Sequence, residues 1–147
     1  MKSIQKLLVL SILLVGITSC EKESILPDHK IPAEIKSYVA AHFPNCNIVR
    51  AVEENFELEK YEITLSCNVK LEFDKHKNII DIDGISKLPD SVIPAPILSY
   101  LGANFPSNTI TGWETELNIQ KIELDNDVTL VFNQKGEFLY IEDCPVG

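Results

Sequence analysis

The chain has 147 residues, 45% of them hydrophobic and 24% charged, which is the composition of one folded domain rather than of a disordered chain. With 13 Lys and Arg against 22 Asp and Glu the net charge is -9, and so acidic a surface repels phosphates and argues against nucleic-acid binding. Four Cys and three His are too few and too scattered for a zinc finger or ribbon, so no metal and no cofactor is expected.

Residues 1–19 read as a secretory signal. Lys2 and Lys6 supply a positive start, Leu7 to Val15 are apolar apart from Ser11, and Ile17-Thr18-Ser19-Cys20 resembles the bacterial lipobox. Cys20 is then the lipidated first residue of the mature chain, and loss of two Lys takes the charge to -11. The lipid alone would hold the protein to the membrane. The expected address is the cell envelope, most simply the outer membrane. Glu21-Lys22-Glu23-Ser24 looks like the acidic surface-export signal of Bacteroidetes lipoproteins. Residues 20–30 are polar and broken by Pro27, so they read as a tether.

Residues 31–44, IPAEIKSYVAAHFP, return at 93–106 as IPAPILSYLGANFP, with nine of fourteen positions identical at an offset of 62. Pro32 and Pro94 suit the start of a helix, and Ile35, Tyr38 and Val39 recur at helical spacing, as do Ile97, Tyr100 and Leu101. Phe43-Pro44 and Phe105-Pro106 end each helix, because the residue before proline is pushed out of the helical region. Strands follow: Tyr61, Ile63 and Leu65 alternate with polar residues, and so do Val69, Leu71 and Phe73, then Ile80 and Ile82. Val128 to Asn133 and Phe138 to Glu142 repeat the later strands at an offset of 59, so the second copy has a shorter hairpin. The mature domain, 31–147, is thus two repeats, 31–83 and 93–142. The expected fold class is α+β: a tandem repeat of a helix plus about four antiparallel strands. Together the repeats give one curved antiparallel sheet with two helices on one face.

The pattern Ile-Pro-x-x-Ile-x-x-Tyr-(Val/Leu)-x-x-x-Phe-Pro, then a Tyr-x-Ile strand and a Leu-x-Phe-(Asp/Asn) strand, resembles the PepSY-like, beta-lactamase-inhibitor-like family of Bacteroidetes lipoproteins. The resemblance covers about residues 31–142. It implies a tandem-repeat fold with a curved sheet and helices behind, and a secreted binding or inhibitory module. It does not imply inhibition of a beta-lactamase. Lys77 stands where the second repeat has Gly136, a departure from the family's usual glycine after that strand.

No catalytic constellation emerges. Ser99 lacks a nucleophile elbow, and His29, His42 and His76 fall in the tether, a helix and a turn, with no triad or metal spacing. Asp81-x-Asp83-Gly84 has no further ligands downstream to make a calcium loop. The chain is therefore not expected to be an enzyme. Cys46 begins the first strand of its repeat and Cys67 ends the second. They form either a disulfide or two buried thiols, and Cys144 is left over.

The sheet face not covered by helices is the expected docking surface. Alternation puts Glu62, Lys70, Glu72, Asp81 and Asp83 there from the first repeat, and Glu123, Thr129, Val131 and Tyr140 from the second. Trp113, out of phase with Ile110, joins them unless a bulge returns it to the core. Trp113 and Tyr140 are the expected anchors, with Val131, Glu72 and Asp81 beside them. The partner would be an envelope or secreted protein, a hydrolase among the candidates. The alternative is a carrier of a small ligand or glycan.

Overall fold

The computed structural model describes residues 23–54 and 60–142. Their nine strands form a single antiparallel sheet in which each strand lies beside its neighbour in the chain. The strands are β1 (Glu23–Ile25), β2 (Ile48–Glu54), β3 (Lys60–Leu65), β4 (Val69–Phe73), β5 (Ile79–Gly84), β6 (Ile110–Glu116), β7 (Ile119–Leu124), β8 (Thr129–Asn133) and β9 (Phe138–Glu142). Helix α1 (Ala33–His42) connects β1 to β2, and α2 (Ala95–Asn104) connects β5 to β6. Each repeat is thus a helix and four strands.

The two helices are built alike. Pro32 and Pro94 sit just ahead of the first turn, where a missing N–H leaves no helix bond unmade. The amides of Phe43 and Phe105 close the last turns on the carbonyls of Val39 and Leu101, both at 2.8 Å. Ser37 and Ser99 spend their hydroxyls on the carbonyls of Ala33 and Ala95, one turn back.

The helices face one side of the sheet. Ile35, Val39, Ile97 and Leu101 are buried with Ile63, Leu71, Ile122 and Leu130 in one core. Burial of each such side chain contributes roughly 1.5–3 kcal/mol. Tyr38 meets Phe73 edge-on with ring centres 5.4 Å apart, and Tyr100 meets Phe132 in the same way at 5.4 Å.

Two expectations need correction. Residues 23–30 are not a plain tether. They supply β1 and a single 3-10 turn at Asp28–Lys30, with Leu26 buried and its amide bonded to the Ala51 carbonyl at 2.9 Å. The repeat begins there: Leu26-Pro27-Asp28 returns as Leu88-Pro89-Asp90, and both segments make the same short turn. Trp113 is not on the uncovered face. The register slips by one residue between Ile110 and Gly112, as it does between Ile48 and Arg50. That bulge resets the alternation, so Trp113 pairs with Ile82 and Ile122 on the helix side and is buried. Its indole N–H donates to Gln120 Oε1 at 3.0 Å, and Gln120 Nε2 donates to the Asn133 carbonyl at 3.2 Å, so both buried polar groups are satisfied.

The turn at Lys77 matches that at Gly136. Each residue has a positive φ, 68° and 79°, and each donates its amide at 2.9 Å to the carbonyl three residues back. Lys77 accepts a left-handed backbone that glycine adopts freely.

Candidate binding surface

The uncovered face divides into two halves of different charge. On β2, β3 and β4 its cations are paired with carboxylates. Arg50 reaches Glu62 at 2.9 Å, Lys70 reaches Glu62 at 2.9 Å and Glu72 at 3.5 Å, and Lys60 reaches Glu72 at 2.9 Å and Glu54 at 3.6 Å. Such part-exposed pairs contribute little each, about 0.2–1 kcal/mol, but they leave this half nearly neutral. Burial works against the charge on Glu72. Its bonds to Lys60 and the charges of Lys60 and Lys70 outweigh that, so its pKa falls below the ordinary value.

The repeats join where β5 pairs with β6 over three positions: Asp81 with Glu114, Ile82 with Trp113, and Asp83 with Gly112. Asp81 therefore has a carboxylate opposite it on both sides, Glu72 on β4 and Glu114 on β6. Like charges directly opposite on a sheet repel. Partial burial, then Glu72, Glu114, Asp83 and Glu123, push the Asp81 pKa up to about 7. Glu114 is also raised, chiefly by burial and then by Glu116. Lys121 lies opposite Glu114 on β7 and reaches Glu142 at 3.6 Å. Burial opposes its charge, yet Glu142, Glu114 and Glu116 together hold its pKa above the ordinary lysine value.

A recess of about 270 Å³ opens at this seam, lined by Asp81, Asp83, Gly112, Glu114, Lys121 and Glu123. Gly112 contributes no side chain to it. A Cβ there would meet Glu123 Oε2 at 2.9 Å. The internal repeat shows what has changed. Gly112 occupies the position of Arg50, and Glu114 that of Val52, at the offset of 62. The second repeat has thus lost a cation and gained a carboxylate at the same edge. Among the described residues no group of three or more His, Cys, Asp or Glu is arranged to hold a metal ion.

Of the residues expected on this face, Glu72, Asp81 and Tyr140 are there, and Tyr140 is half exposed. Val131 lies on it in register with Lys121 and Tyr140, but is fully buried and offers a partner no surface. Trp113 is in the core beneath the same seam. Gly112, Glu114 and Lys121 were missed. The substitution of Arg50 by Gly112 between repeats was the available signal. At the far end of the sheet Cys46 and Cys67 form a disulfide with Cα atoms 5.6 Å apart. Cys20 and Cys144 lie outside the described residues.

The family described as "Putative beta-lactamase-inhibitor-like, PepSY-like" matches residues 17–81 and again 83–140, one match for each half of the sheet. The chain belongs to the PepSY-like family. Solved structures share this PepSY-like fold at low identity. One, from Bacteroides thetaiotaomicron and described as a "putative calcium-regulated periplasmic protein", is 24% identical with a TM-score of 0.77, over 82% of this chain and 97% of its own. A second, a "putative periplasmic protein" from Bacteroides vulgatus, is 21% identical with a TM-score of 0.78, over 84% and 99%. A third, also from Bacteroides vulgatus, a "putative periplasmic protein of unknown function", is 23% identical with a TM-score of 0.77, over 83% and 100%. No curated protein matches the chain. Among the described residues no helix is long and apolar enough to cross a membrane.

Proposed function

We propose that this PepSY-like domain is a lipid-anchored protein-binding module of the cell envelope, without catalytic activity, that docks a basic partner on its uncovered sheet face. The observation that carries this reading is the charge imbalance of that face. Strands β2 to β4 pair their charges, whereas the seam gathers Asp81, Asp83, Glu114 and Glu123 around a recess with Lys121 as the cation among its lining residues. A Lys or Arg side chain entering that recess would relieve the repulsion between Asp81 and its two opposed carboxylates. Opposite potentials of this kind speed association and select the partner. Tyr140 offers an aromatic contact farther along the same face. The family's inhibitor-like description fits a module that occupies a partner rather than transforms a substrate. The anchor is assigned to Cys20, which would hold the domain at the outer membrane with its face free to meet envelope or secreted proteins.

The test is capture from envelope extract on the immobilised full chain, beside an Asp81→Asn, Glu114→Gln, Glu123→Gln variant. The captured protein is then purified and titrated against both forms at two salt concentrations. Salt-sensitive binding that the variant weakens supports the reading. Binding that is unchanged in the variant, or found for a small molecule or glycan instead, refutes it. The anchor has its own test: Cys20→Ala must move the protein from the membrane fraction to the soluble fraction.

A further inference from the structure

The internal repeat shows one sheet edge twice, once occupied and once open. At the offset of 59, β5 corresponds to β9: Asp81 to Tyr140, Ile82 to Ile141 and Asp83 to Glu142. Their inner pairings agree, since Asp81 lies opposite Glu72 and Tyr140 opposite Val131, while Ile82 lies opposite Leu71 and Ile141 opposite Leu130. Both strands carry the same one-residue bulge near their start. They differ on the outer side. The outer edge of β5 is filled by β6, which sets Trp113 beside Ile82 and leaves Ile82 fully buried. The outer edge of β9 has no strand among the described residues, and Ile141 is 47% exposed. Leu139 and Tyr140 are exposed beside it. Three consecutive exposed apolar residues on an unpaired edge form a template for an added strand.

We infer that β9 is a strand-addition site that takes an extended segment of a partner protein, antiparallel, with alternating apolar and basic side chains. The β5–β6 seam supplies the register. An aromatic or branched apolar residue of the partner lies opposite Ile141 on the helix side, as Trp113 lies opposite Ile82. A Lys or Arg to either side of it points to the uncovered face near Tyr140 and Glu142. Charge selects this occupant. Exposed Glu137 just before the strand and exposed Glu142 at its end, the latter 3.6 Å from Lys121, lie in a chain of net charge -9. A second copy pairing β9 with β9 would bring those same carboxylates together. Five residues of strand also bury far less than the roughly 1,000 Å² that a stable dimer needs. The inference rests on the binding-module reading and names a second contact for the same partner.

The probe is the dye-labelled peptide acetyl-Lys-Ile-Lys-Trp-Lys-Ile-Lys-amide, titrated against the full chain in detergent micelles, with amide hydrogen exchange followed residue by residue. Expected are slowed exchange of β9 amides and about tenfold weaker binding to a Leu139→Lys, Ile141→Lys variant. Both altered positions in β9 are exposed, and unchanged exchange elsewhere in the sheet checks that the double variant folds. Peptide binding without slowed exchange in β9, binding equal in the β9 variant, or no binding overturns the inference. If the seam-dependent envelope protein is captured while β9 gains no protection, the edge is wrong and the binding-face reading survives. If β9 gains protection while no protein needs the seam carboxylates, the edge stands and the binding-face reading fails.

Discussion

Replacing Asp81 with Asn should make the domain more stable at neutral and alkaline pH and leave it unchanged in acid. In the fold Asp81 titrates near 7, against an ordinary value of 3.8, because partial burial and the facing carboxylates disfavour its charge. Below about pH 4 the carboxyl is protonated in both folded and unfolded chains, and nothing is gained or lost. As pH rises toward 7 the unfolded chain releases this proton while the native state keeps it, so native stability falls through that window and the full penalty persists above it. The interval of about 3 pKa units corresponds to roughly 4 kcal/mol, and solvent screening of a partly exposed group reduces that to about 2 kcal/mol. Asn carries the same shape with no charge to penalise. Thermal unfolding followed by circular dichroism should therefore show the variant melting higher at pH 8 by roughly 6–10 °C, with the difference gone at pH 3.5. A variant no more stable than wild type at pH 8, or equally stabilised at both pH values, would refute the seam electrostatics.

Breaking the Cys46–Cys67 disulfide with a double Ser substitution opens a loop of sequence separation 21 and should cost about 3 kcal/mol, read as a lower midpoint in urea. Trp113→Ala should cost about 3–5 kcal/mol through the cavity it leaves under the seam, and Trp113→Phe about 1–2 kcal/mol through the lost bond to Gln120, in the same assay. Gly136→Ala should destabilise by about 1–3 kcal/mol, because φ is +79° and the new methyl would meet Pro96 Cβ at 2.8 Å. Partner binding should tighten as pH rises through about 7, since a cationic side chain in the recess favours the ionised form of Asp81; isothermal titration at pH 6 and pH 8 reads this directly.

The two helices and most strands could be read from the chain because side-chain spacing carries them. Ile35 and Val39, Ile97 and Leu101, and the alternating Tyr61, Ile63, Leu65, Val69, Leu71 and Phe73 are all buried as that spacing implies. The placement of Trp113 was not legible. A bulge is a backbone event, and no residue between Ile110 and Gly112 marks it. Residues 23–30 read as a tether because their folded signal, Leu26-Pro27-Asp28, is short and sits among charges. The seam was beyond periodicity altogether. Nothing local in Asp81 or Glu114 says that β5 and β6 pair across an intervening helix, so the opposed carboxylates emerge only once the sheet is assembled. The comparison of Arg50 with Gly112 shows how far the repeat could have gone: two copies of one edge, read against each other, expose a lost cation.

The most direct test of docking at the seam fills the recess rather than removing its charge. Gly112→Arg restores the cation that the first repeat keeps at Arg50, among Asp83 and Glu123; the Glu123 carboxylate must swing aside and its Cβ, 3.1 Å from the new Cβ, must give slightly. Affinity for the captured envelope partner would be measured by titration, with folding confirmed by circular dichroism. The folded variant should bind at least about tenfold more weakly, because the new guanidinium occupies the partner's place. A folded Gly112→Arg variant that binds as tightly as wild type would contradict the claim that the seam is where the partner docks.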